Sequence, residues 1–178
     1  MKTKSEATLS LTTPDPERDH IFGNPEGDVM LLEYGDYECP HCAEAHDAIM
    51  QLAELLGDRL CYAYRHFPLI NKHPNAVSAA LAAEAAADRK EFWELHELLF
   101  ENQESLDALD TIIEAGGYDG DRIMKAVKSG EHKERVTEDR EMGKQAGVEG
   151  TPTIFINGKL YEGDFDPEEM LEVIEENS

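Results

Sequence analysis

The sequence predicts an α/β fold whose sheet-forming parts are separated by a helical insertion. Three observations predict it. A strand–helix–strand pattern occupies residues 29–67, a run of helical patterns follows over 71–146, and a strand, an Asn-Gly turn, a strand and a helix close the chain. The first pattern implies a parallel strand pair with a right-handed crossover. The last implies an antiparallel hairpin covered by a helix.

Each element has a local reason. Residues 1–27 read as a loose arm, punctuated at Pro14, Pro16, Gly23-Asn24-Pro25 and Gly27. Val29-Met30-Leu31-Leu32-Glu33-Tyr34 is an apolar run broken by one carboxylate, as in a buried central strand. A short loop, Gly35 to Glu38, leads to a helix starting near Pro40, where proline suits the first helical position. That helix carries Ala43, His46, Ile49, Met50, Ala53 and Leu56 and stops at Gly57. Leu60 to Phe67 reads as a second strand ended by Pro68. Helical periodicity then covers Ala76–Asp88, Glu91–Asn102, Leu106–Ala115, Asp121–Ser129 and Lys133–Ala146, with Gly116-Gly117, Gly120 and Gly130 between them. Thr153 to Ile156 is a strand, Asn157-Gly158 its turn and Lys159 to Tyr161 its partner. Asp166-Pro167 begins a last helix with Met170, Leu171, Val173 and Ile174 as its buried stripe.

Composition bounds the function. The chain has 178 residues, 40% of them hydrophobic, enough for a packed core. It has no apolar run long enough to span a bilayer, so no membrane insertion is expected. With 39 acidic against 16 basic residues and a net charge of −23, no nucleic-acid partner is expected. The first residues lack the apolar core of a secretory signal, so a cytoplasmic location is expected, with an exported protein without its leader as the alternative.

The chemistry concentrates at Cys39-Pro40-His41-Cys42, directly after a strand and at the start of a helix. A nucleophilic cysteine works as a thiolate, and unpaired N–H groups and the helix dipole converge on Cys39. His41 is expected to add a donor or a positive charge. Cys39, at the exposed helix start, is the expected nucleophile, and Cys42, one turn in, the buried resolving thiol. Glu33 is expected to have a raised pKa and to relay the Cys42 proton; its alternative is a solvent-facing residue at a sheet edge. A structural zinc site needs four ligands, and Cys61 stands alone on a strand, so no metal is expected and Cys61 reads as a small buried hydrophobe. His46 and His66 read as structural or surface residues. A second feature, Gly150-Thr151-Pro152-Thr153, precedes the late strand, where backbone groups at a strand edge can accept an extended substrate segment.

Glu33-Tyr34-Gly35-Asp36-Tyr37-Glu38-Cys39-Pro40-His41-Cys42, then Tyr64-Arg65-His66-Phe67-Pro68-Leu69, then Gly150-Thr151-Pro152-Thr153 resemble the DsbA-like branch of the thioredoxin superfamily. The motifs occur in the family's order, and the resemblance runs from about Arg18 to the C-terminus. It implies a thioredoxin fold over residues 18–70 and 147–178, a helical insertion over 71–146, and an arm over 1–17. It implies a cis peptide between Thr151 and Pro152 beside the cysteine pair, and it places Glu33 at the family's buried-glutamate position. The implied activity is thiol–disulfide exchange with protein substrates, with the Cys39–Cys42 disulfide as the only redox group, no cofactor, and an unidentified recycling partner. Asp36 and Glu38 depart from a favourable setting, since negative charge beside Cys39 opposes the thiolate. The competing expectations are a glutathione-dependent transferase or isomerase of related fold, and a non-enzymatic chaperone or binding module. The oligomeric state is not legible.

Overall fold

The computed structural model describes residues 3–177; Met1 and Lys2 of the expected arm, and Ser178, lie outside the described residues. Its sheet has five strands: β1 (Ile21–Gly23), β2 (Val29–Gly35), β3 (Leu60–His66), β4 (Thr153–Ile156) and β5 (Lys159–Tyr161), in the spatial order β1-β3-β2-β4-β5. β2 and β3 run parallel in the register Val29↔Leu60 to Gly35↔His66. They are joined by α2 (Pro40–Leu56). β4 lies antiparallel to β2, with Leu31↔Ile156 and Tyr34↔Thr153, and β5 folds back on β4. Asn157 and Gly158 take φ of 49° and 82°, the left-handed pair a two-residue hairpin turn requires.

β2 and β3 occupy the middle of the sheet, which is why they read as nearly unbroken apolar runs. Alternate residues point to opposite faces. Leu31, Tyr62 and Tyr64 join the larger core, formed with α2 and with α8 (Pro167–Glu176). Leu32, Tyr34, Ala63 and Phe67 join a smaller core with Val148 and Phe155. Glu33 has the parity of Leu31 and therefore points into the larger core beneath α2.

Between β3 and β4 the chain forms α3 (Ala76–Ala87), α4 (Phe92–Glu101), α5 (Leu109–Ala115), α6 (Gly120–Ser129) and α7 (Lys133–Gln145), with a 3₁₀ segment over Gln103–Ala108. Leu95, Leu99 and Ile113 from these helices belong to the same core as α2, so the helical block and the sheet share one apolar interior.

The N-terminal arm corrects the expectation of a loose segment. It contains a helix, α1 (Lys4–Leu9), and β1 pairs antiparallel with β3. The arm is tied down by a charge: the fully buried Arg65 donates to both Asp19 carboxylate oxygens at 3.0 and 2.7 Å, and to the Ser10 carbonyl at 2.7 Å. A buried guanidinium is tolerable only when its donors are matched in this way.

Candidate active site

Cys39 is the residue preceding α2, in an extended conformation (φ −78°, ψ 118°), and Pro40 occupies the first helical turn. No side chain caps this helix, so its free N–H groups are left for the Cys39 sulfur. The Cys39 pKa is lowered to about 5, first by the Cys42 thiol, then by Thr151 and the N–H groups of Cys42 and His41, against an opposing effect of burial. In its protonated form the Cys39 Sγ donates to the Thr151 carbonyl at 3.5 Å. Cys42 is fully buried, and burial together with Cys39 and Glu33 holds its pKa well above the usual thiol range. The adjacent thiols are thus poised oppositely: one is a thiolate at neutral pH and its neighbour a thiol.

Cys39 is less open than the sequence suggests, with 5% exposure, because the Thr151 segment lies against it. The Thr151–Pro152 peptide is cis. Gly150, Thr151 and Pro152 are half-buried, and Thr153 Oγ1 donates to the Gly150 carbonyl at 2.7 Å. The Thr151 hydroxyl is buried, and it is one of the groups that lower the Cys39 pKa.

Glu33 lies on a strand flanked on both sides, so it is not an edge residue, and it is wholly buried. Tyr62 donates to its Oε1 at 2.8 Å. Burial pushes its pKa up to about 8; the Tyr62 hydrogen bond opposes this and the Cys39 charge adds to it. A carboxyl of this kind exchanges protons near neutrality, as a proton acceptor for a thiol must.

His41 is 72% exposed on its side chain, and its ring lies 3.6 Å from Glu44. Its main-chain N–H, rather than its ring, is what contributes to the lowered Cys39 pKa. Asp36 and Glu38 are engaged by other groups, and neither is among the causes that shift the Cys39 pKa. Asp36 accepts from the N–H groups of Glu38 and Leu69 at 2.7 and 2.8 Å and pairs with His73 at 2.9 Å, and Glu38 accepts from the Asn75 N–H. The opposition to the thiolate expected from these carboxylates is therefore replaced by a structural role, holding the loop after β3 against the site.

His46 and His66 are both buried, and His66 pairs with Glu84 at 2.9 Å. Cys61 is buried on β3 opposite Met30 and Gly23. The grouping of potential metal ligands among the described residues, Asp88, Glu131 and His132, contains no cysteine. One residue of the site escapes sequence reasoning. The Gln103 side chain donates to the carbonyls of Tyr37 and Cys39 at 2.9 and 2.7 Å, clamping the turn that carries the sulfur. No motif marks it; only the fold brings it across from the helical block.

The thioredoxin family model matches residues 15–176. Among curated proteins, the chain is 40% identical over 172 residues to a protein named Na(+)/H(+) antiporter NhaA 1 from Mycolicibacterium gilvum, covering 94% of this chain and 28% of that one. It is likewise 40% identical over 171 residues to the NhaA 1 protein of Salinispora arenicola, covering 93% of this chain and 26% of the relative. The chain thus spans about a quarter of the length of these relatives. Among solved structures, oxidised BdbD from Bacillus subtilis superposes with a TM-score of 0.79 at 23% identity, over 93% of this chain and 95% of that one. Alpha-DsbA1 from Wolbachia pipientis superposes with a TM-score of 0.82 at 20% identity, over 95% and 94%. At such identities the likeness establishes the fold: the sheet with its inserted helices is a DsbA-type thioredoxin fold.

Proposed function

The chain belongs to the thioredoxin family, and from that premise we propose that it is a thiol–disulfide oxidoreductase exchanging disulfides with protein substrates through Cys39 and Cys42. The observation that carries the reading is the opposed poise of the two sulfurs, with Cys39 lowered to about 5 and Cys42 held well above the usual range. The Cys39 thiolate attacks a substrate disulfide, forming a mixed disulfide and releasing one substrate sulfur. Cys42 then gives up its proton, to Glu33, and attacks Cys39. The Cys39–Cys42 disulfide forms, the second substrate sulfur leaves with the electron pair, and the substrate has gained two electrons. The same steps in reverse oxidise a substrate dithiol. No further cofactor is required, and an external redox partner resets the pair.

Direction follows from the thiolate. At about pH 7, a Cys39 pKa of about 5 stabilises the reduced form by some two pKa units, on the order of 2.7 kcal/mol. That raises the reduction potential by roughly 60 mV and favours the oxidant role. Gly150, Thr151 and Pro152 are assigned to present backbone groups to an extended substrate segment beside the sulfur. Cation antiport, the activity named for the longer relatives, is not assigned to this unit, in which no described helix is long and apolar enough to cross a membrane.

The test is the reduction potential measured against glutathione as pH varies. A thiolate–thiol product takes up one proton, so the potential should fall by about 30 mV per pH unit between about pH 5.5 and pH 8. A slope of about 60 mV across that range would mean two ordinary thiols and would refute the reading. Cys39→Ser should abolish exchange, whereas Cys42→Ser should accumulate mixed disulfides.

A further inference from the structure

The exchange steps require Glu33 to take the Cys42 proton, but a carboxyl has two oxygens and the steps do not say which one acts. Glu33 has no exposure, so bulk water does not reach it. The titratable groups that interact electrostatically with it are Cys39 and Cys42 at the start of α2, Tyr37 in the loop before it, and Tyr62 and Tyr64 on β3. None of them is a cation. Burial holds all three phenols well above their usual range, so they remain neutral.

Among the described residues, one of the three phenols binds the carboxyl. The Tyr62 hydroxyl donates to Oε1 at 2.8 Å. The Tyr37 hydroxyl is bound to His96 Nδ1 at 2.8 Å, and neither the Tyr64 hydroxyl nor Glu33 Oε2 has a hydrogen-bond partner among the described residues. The parallel register explains the asymmetry. Tyr62 is paired with Leu31 and Tyr64 with Glu33, so Tyr62 shares the face of Glu33 but lies two residues nearer the start of the strands. It approaches the carboxyl from the side away from the cysteine pair. Oε2 lies 3.0 Å from the point a Cβ on Gly35 would occupy, toward the end of β2 that leads into α2. The edge of the Tyr64 ring lies 2.5 Å from the same point, so a side chain at Gly35 would press on both.

The Tyr62 bond fixes where the proton sits. A neutral carboxyl carries its proton on one oxygen and accepts at the other. The Tyr62 hydroxyl is itself fully buried, with Oε1 as its acceptor. A proton on Oε1 would strand the phenol hydrogen in apolar surroundings that include the Trp93 ring, 5.2 Å away between centroids. We propose that Tyr62 is a positioning residue for the Cys42 step: by occupying Oε1 it reserves Oε2 as the oxygen that takes the Cys42 proton and returns it in the reverse reaction. This rests on the exchange reaction proposed above. As Cys42 attacks the mixed disulfide, its proton passes to Oε2, the Cys39–Cys42 bond forms, and the substrate sulfur leaves with the electron pair. Glu33 ends neutral, with Tyr62 still donating to Oε1. The bond persists in both charge states and is stronger when the carboxyl is ionised. Tyr62 thereby favours the form that accepts a proton, opposing the larger effect of burial. Trp93 belongs to α4 and its indole N–H donates to the Ile21 carbonyl at 3.1 Å, so the insertion and β1 together back the Tyr62 ring.

A single-turnover reaction of the reduced protein with an aromatic nitrobenzoate disulfide tests this, because the two released chromophores separate attack by Cys39 from attack by Cys42. Tyr62→Phe keeps the ring and removes the donor. Losing a bond that is stronger to the ion should move the ionisation of Glu33 up by about one pH unit. The expected result is an unchanged first phase and a second phase roughly tenfold slower at about pH 6, the difference fading above about pH 9.5. With Glu33→Gln already in place, Tyr62→Phe should slow the second phase no further, because no proton is left to place. The infrared band of a protonated carboxyl gives a readout independent of turnover. Above about pH 6.5 ordinary carboxyls are ionised, so the band absent from Glu33→Gln belongs to Glu33. In Tyr62→Phe it should persist to a pH about one unit higher, and a band that does not move would overturn the proposal. A second-phase profile that does not shift would overturn it too, while leaving exchange intact. Slowing by one factor at every pH, or the same slowing in the Glu33→Gln background, would reduce Tyr62 to packing and likewise overturn it. A wild-type protein with no second phase would instead overturn the exchange reaction itself, and the role of Tyr62 with it.

Discussion

Replacing Glu33 by glutamine isolates the cost of burying an ionisable group at the site. Glutamine keeps the shape and the acceptor for the Tyr62 hydroxyl, which binds Oε1 at 2.8 Å, but cannot ionise. Burial raises the Glu33 pKa from 4.5 to about 8. For an acid with a raised pKa in the folded state, the contribution to stability is fully present below the unfolded value. It is then lost as pH rises from 4.5 toward 8. At about pH 7 the loss spans some 2.5 pKa units, about 3 kcal/mol at ~1.36 kcal/mol per unit. Glu33→Gln should therefore be nearly neutral for stability at about pH 4 and stabilising by about 3 kcal/mol at about pH 7. In a chain of this size that corresponds to a rise in Tm of roughly 6–12 °C. The assay is thermal or urea unfolding of the reduced protein at several pH values, since the value of about 8 belongs to the form with both thiols free. A difference between the two proteins that does not grow with pH would refute the reasoning, because it would reflect packing rather than ionisation. The same variant should slow the Cys42 step, since an amide cannot take the thiol proton.

Two further outcomes follow from the geometry. Thr151→Val removes the buried hydroxyl that helps lower the Cys39 pKa; a rise of about one unit should slow iodoacetamide alkylation about fivefold at about pH 5, and an unchanged pH–rate profile would remove Thr151 from that role. Asp19→Ala strips the carboxylate from the wholly buried Arg65 and should destabilise the protein by about 3–5 kcal/mol in urea unfolding; a loss below about 1 kcal/mol would show that the Ser10 and Thr13 carbonyls suffice to hold the guanidinium.

What the sequence disclosed and what it hid divide along a physical line. β2, β3, α2 and the closing hairpin are legible because their signals are local: an apolar run, a proline at a helix start, an Asn-Gly pair. The same locality exposes the cysteine pair, because the helix terminus that activates Cys39 is formed by its immediate neighbours. β1 is hidden because its three residues draw their pairing from β3, some forty positions away, against a background of turn signals. The arm reads as loose for the same reason, since Asp19 means little until Arg65 is brought beside it.

Electrostatics shows the line most sharply. Counted along the chain, Asp36 and Glu38 crowd Cys39 with negative charge. In space the main-chain N–H groups of Leu69 and Asn75 claim both carboxylates, and the sulfur's nearest influences are a thiol, a hydroxyl and the helix N–H groups. Gln103 and His96 are the reverse case. Nothing in their surroundings along the chain marks them, yet one grips the Cys39 carbonyl and the other lies against Tyr64. Both come from the helical block. A motif carried by the sheet therefore names the reacting atoms, while the insertion positions their backbone and lines the buried ground beneath them. Substitution of Gln103, within 71–146, should consequently alter attack by Cys39 more than its distance in sequence from the cysteine pair suggests.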